Sequence, residues 1–168
     1  MKKLWIVLVL ALALSAAPAA AKEGLFAGAY LVNASVSGGS GSDSGYGFRI
    51  GTGFNRYFSV EGTYEDVKDL TAVAVDFRVN FPLTSLDSQQ IMTVEPYLTL
   101  GYGMYEQGST TTVDGTGVKV GVGVELYLFR ELSINAGWSK ANVTFDTPAG
   151  DVGSDIKSLE FGIIYHFI

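Results

Sequence analysis

The sequence predicts an all-β protein, an eight-stranded antiparallel up-and-down β-barrel that crosses a membrane. Three observations predict it. Eight runs alternate apolar residues with polar or small ones at the period of two that belongs to strands, and no segment sustains a helical period. The composition, with 21 Gly, 9 Tyr and 10 Phe in 168 residues and only 17% charged, suits many strands and tight turns. The last run sets Leu159, Phe161, Ile163, Tyr165 and Phe167 against Ser158, Glu160, Gly162, Ile164 and His166, giving an apolar face that lipid can cover.

Residues 1–21 read as a secretory signal peptide and are set apart from the fold. Lys2 and Lys3 precede an apolar run from Leu4 to Leu14, and Ala19 and Ala21 stand shortly before Lys22. The run is shorter than the about 20 residues a helix needs to cross a bilayer, and no second such run follows. One barrel domain is expected over 22–168, retaining 9 of the 11 basic side chains against 17 acidic ones. That balance speaks against nucleic acid as a partner. With no cysteine, neither a lipid-anchored N-terminus, a disulfide scaffold nor a thiolate metal site is available.

Strands are expected near 24–34, 44–54, 57–66, 69–81, 93–105, 117–129, 132–144 and 156–167. The first is apolar or small on both faces, and Phe26 and Tyr30 are assigned outward. The second opposes Tyr46, Phe48, Ile50, Thr52 and Phe54 to glycines and Arg49. In the third, Phe58, Val60 and Tyr64 oppose Ser59, Glu61, Thr63 and Glu65; in the fourth, Val73, Val75, Phe77 and Val79 oppose Ala72, Ala74, Asp76 and Arg78. The fifth sets Val94, Leu98, Leu100 and Tyr102 against Glu95, Tyr97, Thr99, Gly101 and Gly103. The sixth is the strongest alternation, with Val118, Val120, Val122 and Val124 against Lys119, Gly121, Gly123 and Glu125. The seventh opposes Leu132, Ile134, Ala136 and Trp138 to Ser133, Asn135, Gly137 and Ser139, and Lys140 breaks the pattern at an expected membrane edge.

Connections alternate as well. Ser35 to Asp43, Glu106 to Thr116 and Phe145 to Asp155 read as polar outer loops, whereas Asn55 to Tyr57 and Phe129 to Glu131 read as tight inner turns. Val67-Lys68 is short for an outer loop, and Pro82 to Met92 is long for an inner turn. A soluble, lipocalin-like barrel would need its polar face outward and well charged, but that face is mostly Gly, Ser, Thr and Asn. It suits a barrel interior.

Two stretches carry a family resemblance. The final strand, with Tyr165 and Phe167, resembles the C-terminal signal by which bacterial outer-membrane barrels are recognised for insertion, although Ile168 follows the terminal aromatic. The run Pro96 to Gly103, with Gly121 and Gly123 in the next strand, is similar to the proline-tyrosine strand and paired glycines of the outer-membrane β-barrel domain family. The resemblance is to its small eight-stranded OmpA- and OmpX-like members. It implies residence in the bacterial outer membrane, contact with outer-membrane lipid and lipopolysaccharide, and engagement of the barrel-insertion machinery by the C-terminal strand. The resemblance does not extend to the peptidoglycan-binding domain of OmpA-type proteins, so anchoring to the cell wall is not implied.

No catalytic, cofactor or metal residue is assigned. Gly51-Thr52-Gly53, Gly101-Tyr102-Gly103 and Gly121-Val122-Gly123 are not phosphate loops, because none opens onto a helix N-terminus. His166, the only histidine, stands near the inner end, whereas barrel enzymes that use a histidine on lipid A act at the outer surface. Asp146, Asp151 and Asp155 lack calcium-loop spacing and read as a solvated loop. The functional expectation is a non-enzymatic structural or adhesive protein whose outer loops contact an extracellular ligand, with a small-solute, porin-like channel as the alternative.

The inward parity predicts an interior charge network of Arg49, Glu61, Glu65, Asp76, Arg78, Lys119, Glu125 and Glu160. If Asn55 to Tyr57 is a three-residue turn, Arg49 lies opposite Thr63, with Glu61 and Glu65 as diagonal neighbours within reach of a salt bridge. Solvation by interior water, or Glu125 or Asp76 reaching Arg49 across the lumen, are the alternatives.

Overall fold

Unpaired backbone groups in hydrocarbon cost several kcal/mol each, so strands that face lipid must close on themselves. The computed structural model has that closure. The strands are β1 Gly24–Val36, β2 Asp43–Gly53, β3 Phe58–Val67, β4 Leu70–Asn80, β5 Thr93–Gln107, β6 Val113–Tyr127, β7 Leu132–Thr147 and β8 Gly150–His166. Each pairs antiparallel with the next, and β8 pairs with β1 to close the barrel. The structure describes residues 24–37, 41–83, 93–108, 113–148 and 150–167. The segment 1–21, read as a signal peptide, lies outside them, as does most of the link from Pro82 to Met92.

Local chemistry sets the turns. Asn55 Oδ1 accepts the backbone N–H groups of Tyr57 (2.8 Å) and Phe58 (3.0 Å), and the Phe54 N–H donates to the Phe58 carbonyl at 2.9 Å. The β2–β3 turn therefore spans Asn55 to Tyr57. At the same, lower end of the barrel the N–H groups of Leu128 and Phe129 both donate to the Leu132 carbonyl. At the upper end β3 and β4 are joined by Lys68 and Asp69 alone, and Lys68 takes a left-handed φ of 47° to close the turn.

Following the register from Ala29 through Phe48, Tyr64, Val73, Met104, Thr116 and Thr144 leads to Gly153 on β8. Ala29 itself faces Ile163, ten residues away from Gly153. With about 3.3 Å per residue and about 4.8 Å between strands, that stagger tilts eight strands by about 41° and encloses a cylinder of about 8 Å backbone radius. Side chains fill such a space. The same stagger brings the exposed rings of Tyr46, Tyr64, Tyr102 and Trp138 to one level and those of Phe54, Phe58, Phe81, Tyr165 and Phe167 to another. They are the two aromatic girdles of a membrane barrel.

Two expectations are corrected. Phe26 and Tyr30 point inward, 6% and 3% exposed, while Leu31 faces out at 69%. The reason lies in their partners: Phe26 is paired with Gly51, and Tyr30 with Gly47 on one side and Gly162 on the other. A methyl group at Gly47 would overlap the Tyr30 ring, so these glycines are the seats of inward aromatics. The second correction concerns the outer loops. Phe145 to Asp155 is a hairpin, with β7 running to Thr147 and β8 starting at Gly150, and β6 begins at Val113 rather than Gly117.

The extended segments escaped the pattern because their polarity is reversed. Above Ser139, β7 turns Ala141, Val143 and Phe145 inward, all buried, and Lys140, Asn142, Thr144 and Asp146 outward. Side-chain parity never slips; the solvent on the outer side changes from lipid to water. The buried side chains there form one apolar cluster of Tyr30, Val32, Ala34, Val67, Leu70, Ala72, Tyr105, Ala141, Val143, Phe145 and Ile156.

Candidate functional site

Below the apolar cluster the described interior gathers three cations, Arg49, Arg78 and Lys119, and six carboxylates, Glu61, Glu65, Asp76, Glu95, Glu125 and Glu160. Arg49 faces Thr63 across the β2–β3 ladder. Its guanidinium pairs with Glu160 of β8, and its Nη1 lies 3.6 Å from Glu61 Oε1. Glu160 is reached over β1, where Gly28 stands beside Arg49 and a methyl group would press on Arg49 Cγ at 3.3 Å. Glu65 accepts instead from the Tyr30 hydroxyl at 3.2 Å.

The other two cations are held alike. Lys119 Nζ lies 2.6 Å from Asp76 Oδ2, across β5, where Gly101 leaves the path open. Arg78 pairs with Glu125, and its Nε donates to Asn80 Oδ1 at 2.7 Å. Both arginines lie over buried tyrosine rings, Arg49 at 4.4 Å from the Tyr30 centroid and Arg78 at 3.7 Å from that of Tyr97. An arginine cannot shed its proton, so each enclosed guanidinium needs such partners.

At the lower mouth, His166 Nε2 lies 2.9 Å from Glu125 Oε1 and 3.1 Å from Ser133 Oγ, and Ser133 Oγ donates to Glu125 Oε1 at 2.5 Å. The imidazole sits between the rings of Phe26 and Tyr127, 5.8 and 5.1 Å between centroids. A hydrolytic triad needs the serine on one ring nitrogen and the carboxylate on the other. Here both contact the same nitrogen, and Ser133 is fully buried. A neighbouring cavity of about 30 Å³, lined by Arg78, Asn80, Glu95, Glu125 and His166 among others, has room for a water molecule.

Sequence reasoning did not single out His166, Ser133 or the two stacked tyrosines as members of this cluster. The usable signal was the cross-strand pairing of inward aromatics with glycines, which also seats Tyr97 opposite Gly123. On the outer face, Asp146 and Asp151 oppose each other near the β7–β8 tip, and Asp155 Oδ2 lies 2.8 Å from Lys140 Nζ. Among the described residues, no three His, Cys, Asp or Glu side chains are placed to hold a metal ion.

Closed topology, two girdles and an ionic interior leave the family to be decided by sequence. The family model described as "outer membrane protein beta-barrel domain" matches residues 6–167. The chain belongs to that family. It is a bacterial outer-membrane protein, so the lower end, where β1 begins and β8 ends, faces the periplasm and the upper end faces outward. Among solved structures it is similar to Neisserial surface protein A (NspA), at 18% identity and TM-score 0.61 over 86% of this chain and 97% of that one. It is also similar to the N-terminal β-barrel domain of Pseudomonas aeruginosa OprF, at 13% identity and TM-score 0.57 over 85% and 99%. A de novo designed transmembrane β-barrel matches at 15% identity and TM-score 0.56 over 87% and 98%. At these identities the likeness is one of fold. The search of curated proteins gave no match.

Proposed function

We propose that the protein is a closed, non-enzymatic outer-membrane barrel with a structural or adhesive role, its extracellular rim making any partner contacts. One observation carries this reading: two cores are stacked in series inside the barrel, ionic side chains below and the Val32–Val143–Phe145 cluster above. The channel alternative drew on the inward glycines, but rings cover several of them, with Tyr30 on Gly47, Phe26 on Gly51 and Tyr97 on Gly123. Single-channel recording of the purified barrel tests the reading. The expected result is no steady conductance, and openings of porin size would end it.

Within the same proposal, Arg49, Glu61, Glu65, Asp76, Arg78, Lys119, Glu125 and Glu160 lock the strands together rather than serve a reaction. Tyr165 and Phe167, exposed on the outer face of the closing strand, act as the insertion signal. Phe167→Ala should then slow assembly into the outer membrane, scored by the fraction of chain resistant to extraction.

A further inference from the structure

The mouth at the outward end opens into a cleft of about 300 Å³, at the small end of the range that ligand pockets occupy. Its walls come from five strands. Ala34 and Val36 of β1, Val67 of β3 and Leu70 of β4 line it with apolar side chains, and Asp43 of β2, Gln107 of β5 and the Lys68-Asp69 link add polar ones. Ala34, Val67 and Leu70 belong to the apolar cluster that fills the upper barrel, and Val36 packs against it. The floor of the cleft is thus the top of that core. The β3–β4 link has only two residues, so the wall ends there and leaves the cleft open to the outside.

Charge selects the occupant. Lys68 Nζ lies 3.1 Å from Asp43 Oδ1, so these two charges offset each other. Asp69, exposed beside them, has no ion pair among the described residues. The cleft therefore presents one unbalanced carboxylate next to an apolar floor. Asp66, Glu106, Asp114 and Asp146, outward on the neighbouring strands, extend the same sign beyond it. An anionic guest would be repelled, and a single small amine would leave the floor and the outlying carboxylates unused.

We infer that the cleft receives a cationic, amphipathic peptide segment from outside the cell. One aromatic or aliphatic side chain of the segment sits on Ala34, Val36, Val67 and Leu70, and a neighbouring lysine or arginine meets Asp69. The inference deepens the proposed function, since it rests on the extracellular rim making the partner contacts.

The test uses the barrel isolated from outer membranes, in nanodiscs of neutral phospholipid, with the fluorescein-labelled peptide Gly-Lys-Phe-Lys-Gly as probe and fluorescence anisotropy as readout. The probe should bind saturably. Replacing its phenylalanine with serine should weaken binding about tenfold, the scale of burying one ring in a partly open site. Changing both of its lysines to glutamate should abolish binding. On the protein, Asp69→Asn should weaken binding about fivefold at low salt, as for one solvent-exposed charge pair, and high salt should erase the difference. Val36→Trp, which fills the cleft from its edge, should abolish binding, with urea titration checking that the barrel still folds. Unchanged affinity in D69N, or equal binding of the phenylalanine and serine peptides, would overturn the cleft as the site. Butylamine displacing the probe at equal concentration would overturn the peptide as its occupant. Conductance, recorded separately, bears on the closed barrel alone.

Discussion

The lower and upper halves of the barrel use one backbone pattern with opposite chemistry. In the lower half lipid surrounds valines and phenylalanines, and paired charges fill the inside. In the upper half water surrounds Lys140, Asn142 and Thr144, and Val143, Phe145 and Ile156 fill the inside. The lower half resembles a soluble protein turned inside out, and the upper half restores the usual order. The difference teaches that outer solvent, not strand geometry, decides which face is apolar.

The comparison can be broken first from the lower half. Arg78→Ala would leave Glu125 buried beside His166 without its guanidinium, and removal of one member of such a pair costs about 3–5 kcal/mol. Urea titration of the refolded barrel should show the loss. By contrast, Lys68→Ala, which removes a solvent-exposed pair with Asp43, should cost less than about 1 kcal/mol. In the upper half, Phe145→Ala should cost about 3–5 kcal/mol, as for a phenylalanine in any soluble core. A loop residue would not.

Lipid-facing Val122→Arg should cost about 2–4 kcal/mol. Thr144→Arg, equally outward but above the girdle, should stay within about 0.5 kcal/mol. Equal costs would mean that lipid reaches the upper half. A coupling is expected as well: Arg49→Glu and Glu160→Arg should each destabilise, and the double exchange should recover part of the loss. Additive losses would mean that Arg49 and Glu160 do not interact.

Strand number, topology and the parity of seven strands were legible in the sequence because lipid enforces strict alternation from β2 to β8. Parity in β1 was not, since Leu25, Ala27, Ala29 and Leu31 are as apolar as Phe26 and Tyr30. Only the glycines opposite, at positions 47, 51 and 162, distinguish the faces. The inward direction of Arg49, Asp76 and Glu160 could be read from alternation, and the Asn55 turn set the β2–β3 register. That Arg49 meets Glu160 could not be read, because the contact crosses β1 and depends on barrel closure. The upper strands looked like loops because polar residues occupy the outward positions, as they do in loops.

The reversal of polarity can be measured directly, since the chain has no native cysteine. Single cysteines placed along β7 at 134, 136, 141, 142, 143, 144 and 145 would carry spin labels in a bilayer. Their relaxation by oxygen, which enriches in lipid, would be compared with that by a water-soluble nickel complex. Oxygen should dominate at 134 and 136, nickel at 142 and 144, and neither should reach 141, 143 or 145. Nickel access at 143 and 145 equal to that at 142 and 144 would contradict the apolar upper core.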